Sequence, residues 1–132
     1  MSDVILPDLQ ACLLCEDVRA ELSGQQTLVG VITAIPAPQL PVAFFKLCLW
    51  SRWVGGEGRF TQRSIVISAE TEKVMAEAKV DFELNGMDHH ATNVHVFGGV
   101  RFESYGIHYI EVHLDDELRL RFPLPVVKVQ QR

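Results

Sequence analysis

The chain has 132 residues, of which 48% are hydrophobic and 22% charged, a composition that suits one domain with a real core and excludes a disordered tail. Seventeen acidic against twelve basic side chains give a formal net charge of −5. The densest basic cluster (Arg119, Arg121, Lys128, Arg132) is flanked by acids, which argues against a nucleic-acid partner.

The opening MSDVILPDLQ has an acid at Asp3 and no basic segment, so no secretory leader is expected. The longest apolar run, within residues 40–50, is broken by Lys46 and is too short to span a bilayer, so no membrane partner is expected either. Three cysteines, an odd number, fit free thiols in a reducing compartment. The expectation is a cytoplasmic protein.

Taken in order, residues 9–18 (LQACLLCEDV) read as a first strand and Ser23-Gly24-Gln25-Gln26 as a turn. Residues 27–35 (TLVGVITAI) follow as a β-branched strand with Gly30 as a bulge or close-approach point, pairing with the first in a hairpin. Pro36, Pro38 and Pro41 then predict an extended, unpaired crossover. Pro38-x-x-Pro41 is also the spacing of a ligand for proline-binding modules, though three prolines between strands are more commonly a plain connection.

Residues 42–53 (VAFFKLCLWSRW) are apolar on both parities, which marks either a central strand under two layers or one turned partly toward a partner. Phe45, Trp50 and Trp53 are the candidate partner-binding residues. Residues 54–58 (VGGEG) predict a mobile loop. Residues 60–69 predict the next strand, and Glu70-Thr71-Glu72 a turn.

Residues 73–84 (KVMAEAKVDFEL) contain strong helix formers, yet Val74, Ala76, Ala78, Val80, Phe82 and Leu84 share one parity, which predicts a strand; a helix is the alternative. Asn85-Gly86 predicts a turn, extended by residues 87–91 into a loop holding Asp88, His89 and His90. Short strands follow at residues 92–97 and 100–103, broken at Gly98-Gly99. Residues 105–129 predict a terminal hairpin around a three-residue loop, Asp115-Asp116-Glu117, with His108 inward and His113 outward.

The chemistry-bearing residues form no complete set. A metal site needs three or four convergent ligands, and His89, His90, His95, His108 and His113 lack a recognised spacing, so they are weak candidates. Cys12-Leu13-Leu14-Cys15 is formally C-x-x-C, but odd spacing on a strand puts the two thiols on opposite faces. With Cys48 they read as small buried hydrophobes. No G-x-S-x-G elbow occurs, and Gly55-Gly56-Glu57-Gly58 lacks the lysine and helix of a phosphate loop. The acids at 115–117 are read as a solvated hairpin tip before a weak calcium site.

Several segments together resemble an uncharacterised bacterial family of small immunoglobulin-like β-sandwich domains of unknown function. They are Cys15-Glu16-Asp17-Val18, Leu28-Val29-Gly30-Val31, Leu40-Pro41, Tyr105-Gly106-Ile107-His108-Tyr109 and Phe122-Pro123-Leu124-Pro125-Val126. The resemblance implies that fold and carries no catalytic residue across.

The expectation is therefore an all-β protein, a single antiparallel immunoglobulin-like β-sandwich of about seven to nine strands spanning residues 1–132. Its expected role is a non-enzymatic protein-interaction or structural module, with a protein partner or a second copy in a homodimer and without a cofactor. A small-ligand or metal-binding domain using the histidines is the alternative, and a hydrolase comes last.

Overall fold

A computed structural model describes residues 4–68 and 70–130, and none of them is helical. Seven strands run β1 (Asp8–Ala20), β2 (Gln26–Val31), β3 (Ile35–Ala37), β4 (Val42–Ser68), β5 (Val74–Phe102), β6 (Gly106–Leu114) and β7 (Glu117–Lys128). The strand choice for residues 73–84 holds, because Val80, Phe82 and Leu84 turn inward while Lys79, Asp81 and Glu83 lie in solvent. Ala69, the end of one expected strand, lies outside the described residues, as do Asp3 and Arg132.

The hydrogen-bonded order is β2-β1-β4-β6-β7-β3, with β5 on the remaining side of β4. Two long strands make this one path into two layers. The first half of β4 pairs with β1 and with the end of β5; its second half pairs with β6 and with the start of β5. A shared core fills the space between, with Leu14, Leu47, Leu49 and Phe97 from the first layer and Val66, Ile110, Val112 and Leu124 from the second.

The crease between the layers corrects two expectations. Residues 54–58 are not a mobile loop, and Asn85-Gly86 is not a turn: Gly56 pairs with Gly86 and Glu57 with Asn85 inside the β4–β5 ladder. Gly55 (φ 68°) sits opposite residues 87–89, so His89 and His90 belong to a bulged strand rather than a loop. The glycines are used for close approach. A Cβ on Gly56 would lie 3.0 Å from the Ile5 carbonyl oxygen and 3.0 Å from Pro7 Cβ, and Ile5 exchanges backbone hydrogen bonds with Glu57 there.

A second irregularity occurs at Phe45 and Gly99 (φ 65°), which face one another between the pairs Phe44–Val100 and Lys46–Gly98. Both strands change phase across this point. Phe44 packs on the core and so does Leu47, three positions on; Phe97 and Val100 repeat the step on β5. Phe45 is thrown outward, 96% exposed.

Two further corrections concern the ends of the sheet. Residues 27–35 are not one strand, and the proline-rich segment is not wholly unpaired. Ile35–Ala37 forms β3, parallel to β7, with Pro36 opposite Val127. The sheet is therefore mixed rather than purely antiparallel. Pro36 is tolerated because β3 is an edge, where a missing N–H costs nothing on the open side. The hairpin turn has two residues, Asp115 (φ 48°) and Asp116 (φ 68°), and Glu117 pairs with Leu114. Aspartate accepts the left-handed region better than glutamate. The residue removed from the loop reappears as a bulge, since Val112 pairs with Leu120 and His113 with Leu118.

Candidate functional site

The two outer faces of the sandwich differ in chemistry. On the first layer, cross-strand rows run Leu13–Trp50–Val94 and Cys15–Cys48–Val96, with Val31 on β2 continuing the second row. Leu13, Val31 and Val96 are 42%, 50% and 55% exposed, and Trp50 and Val94 are half-buried. This is a contiguous apolar patch facing water. It is bounded at one end by Lys46 Nζ, which donates to Asp17 Oδ1 at 2.6 Å and holds that carboxyl below its usual range, and at the other by Arg52.

The second layer presents an ion-paired lattice instead. Arg63 Nε donates to Glu77 at 2.8 Å, keeping that carboxyl low; Arg121 lies 3.7 Å from Glu111 and 3.9 Å from the centre of the Tyr109 ring. His113 Nε2 meets Glu111 at 2.9 Å. Ile65, between Glu77 and Glu111 in register, is only 3% exposed. Polar groups cover this face, whereas none of the described residues covers the patch on the first layer.

The three candidate partner-binding residues separate. Trp50 is on the apolar face, its indole N–H donating to Gln26 Oε1 at 2.7 Å; Phe45 stands free at the end of the same layer. Trp53 is fully buried and stacks on Phe82 at 5.9 Å, so it presents no surface to a partner. Its parity was legible, but both parities of that strand were apolar.

Trp53 belongs to a buried polar cluster that the sequence reading missed. Its indole N–H donates to Gln62 Oε1 at 2.8 Å, as does Asn93 Nδ2 at 2.8 Å, while Gln62 Nε2 donates to the Ser51 and Ser64 hydroxyls at 3.0 Å each. Every hydrogen-bonding position of the Gln62 amide is used, which fixes its orientation. Ser51 and Trp53 precede the crease in β4 and Gln62 and Ser64 follow it, so the cluster ties the two layers together. The available signal was Ser51 on the parity of Leu49 and Trp53. The groups are amides, an indole and hydroxyls, without a base to activate a nucleophile, so the cluster works as a structural tie.

The cysteines are free and sit as parity required. Cys12 points inward, 3.7 Å from Ser51 Oγ, and its thiol is pushed up to about 11 by burial. Cys15 and Cys48 are a cross-strand pair on the outer face, sealed to 0% and 2% exposure, and burial raises both thiols. They form the floor of the apolar patch.

The histidines are dispersed. Among the described residues, no three His, Cys, Asp or Glu side chains come together in a metal-binding arrangement. His89 and His90 are exposed in the bulge, and His113 is held by Glu111. His95 is inward and 5% exposed, neither ring nitrogen has a hydrogen-bond partner among the described residues, and burial lowers its pKa. His108 is 2% exposed, edge-on to Phe102 at 5.2 Å, with Nδ1 3.3 Å from the Gly106 carbonyl oxygen. It lines two adjoining clefts of about 570 and 580 Å³ that share Ser68, Glu70 and Ser104.

The model of a family of unknown function, DUF6941, matches residues 10–127. The chain belongs to this family. The match covers β2 to β6 entirely and nearly all of β1 and β7. DUF6941 brings no activity with it, so the functional reading rests on the two faces. A comparison with curated proteins finds no match. Among the described residues, no helix is long and apolar enough to cross a membrane.

Proposed function

We propose that this chain is a non-enzymatic interaction module that docks a protein on the outer face of its first layer. The observation that carries the reading is the contrast between that apolar face and the ion-paired face of the second layer. A contiguous patch of Leu13, Val31, Val94 and Val96 around Trp50 is the surface monomeric proteins avoid and interfaces use. Trp50 is the anchor and Phe45 a second contact at the patch end. The three free thiols support a reducing, cytoplasmic setting for an immunoglobulin-like domain of bacterial type.

Carbene footprinting tests the reading. Leu13, Val31, Trp50 and Val96 should label in the dilute purified chain and be protected in intact cells that make it. Equal labelling in both would overturn the proposal.

A second reading is carried by the clefts at His108. If the Gly106 carbonyl accepts from Nδ1–H, the lone pair lies on Nε2, the tautomer suited to meeting a small polar ligand beside Ser68 and Ser104. Titrating zinc and, separately, inorganic phosphate while following the His108 imidazole by NMR tests it; an unmoved resonance in both titrations sinks it.

A further inference from the structure

Among the described residues β5 pairs only with β4, so it is an edge along its whole length. Its two halves guard that edge differently. Residues 74–84 carry Glu77, Lys79, Asp81 and Glu83, the alternating charges that keep an open strand from recruiting another. Residues 91–100 (ATNVHVFGGV) contain no Asp, Glu, Lys or Arg at all. Among the described residues, no backbone group of this stretch bonds outside the β4–β5 ladder.

We propose that a second copy of the chain adds antiparallel to this edge, about a two-fold axis at Val94. The inference rests on the interaction-module reading and adds a second copy beside the docking face, which it widens.

Three matches across the axis point to the chain itself rather than to a foreign strand. The first is polar. Centring the pairing on Val94 sets His95 opposite Asn93 of the second copy, on the inner side, where both ring nitrogens of His95 are buried without a partner among the described residues, so the imidazole turns toward the edge to make the pair. The Asn93 amide nitrogen is engaged with Gln62, which leaves its carbonyl oxygen as an acceptor for an imidazole N–H. The second match is steric, with small Ala91 opposite large Phe97 twice over. The third lies on the outer side, where Val94 meets its own copy and Thr92 meets Val96, so two apolar patches become one. No charge is brought against a like charge, and the arrangement is isologous, each residue pair occurring twice.

The test uses the purified full chain. Sedimentation should show a dimer, and hydrogen exchange should show amides of residues 91–97 gaining protection as concentration rises. Val96→Lys, an exposed charge on the edge, should raise the dimer dissociation constant roughly tenfold or more. Leu118→Lys, at the exposed hairpin tip, should leave it unchanged. Val94→Cys should cross-link to a covalent dimer under mild oxidation. A chain that stays monomeric at every concentration overturns the proposal. So does a dimer that neither protects residues 91–97 nor cross-links at position 94. Protection of the apolar face in cells beside a monomeric purified chain would sink this inference and leave the interaction-module reading standing, whereas an unprotected face in cells would sink that reading first.

Discussion

Replacing Gln62 by leucine strands several polar groups at once: the Trp53 indole, the Asn93 amide and the Ser51 and Ser64 hydroxyls. A buried group left without its partner costs about 1–3 kcal/mol, so a loss of about 2–4 kcal/mol is expected for Gln62→Leu, read as a lower urea midpoint. His95 gives a pH dependence of definite sign. Burial lowers its pKa, so the folded chain binds that proton more weakly than the unfolded chain does. The stability involved is fully present above the unfolded value of about 6.5 and declines as pH falls below it. Unfolding of dilute protein at several pH values should show the wild type losing stability across this range relative to His95→Leu; parallel curves would contradict the assignment. The thiols, raised by burial, should alkylate slowly in the native state and quickly in urea, as mass spectrometry would show. At this scale the sequence reading was partial. Parity placed His108 inward and His113 outward, and both positions hold. It could not show that Cys15 and Cys48 share a register, or that Gln62 and Asn93 converge, because those facts depend on which strands become neighbours.

The crease in β4 and β5 is the element on which the architecture turns. A Cβ on Gly56 meets backbone from residue 5 and Pro7 at 3.0 Å and Leu84 at 3.2 Å, so Gly56→Ala should cost about 1–3 kcal/mol through overpacking. The hairpin offers the opposite effect. Asp116 holds φ at 68°, and Asp116→Gly should raise the thermal midpoint through a gain of about 0.5–1 kcal/mol. Asp115 is not equivalent, because its carboxylate accepts from the Thr61 amide at 2.8 Å. These elements also explain what the sequence concealed. Alternation in residues 73–84 outweighed their helix propensity and was decisive. Glycine clusters and Asn-Gly are ordinarily turn signals, yet here Gly56 and Gly86 face one another within a ladder, and Gly56 lets the N-terminal segment approach. Local turn chemistry lost to tertiary packing.

For the whole molecule, the governing fact is that two faces of one sandwich have opposite chemistry. The sequence reading recognised a strand apolar on both parities within residues 42–53, but that pattern fits a central strand and an interface strand equally. The register resolves it. Leu47, Leu49 and Trp53 take the core, while Cys48 and Trp50 lie on the apolar outer face. Phe45 escapes this alternation because the phase change opposite Gly99 reverses it. The chain has two tryptophans, one buried and one on the proposed docking face, which makes fluorotryptophan labelling a direct probe. The ¹⁹F spectrum of the labelled chain in living cells, compared with that of the dilute purified chain, tests the central claim. Docking predicts that the Trp50 resonance changes its chemical shift in cells while the Trp53 resonance keeps its own. Both resonances at the same shifts in the two settings would contradict the account.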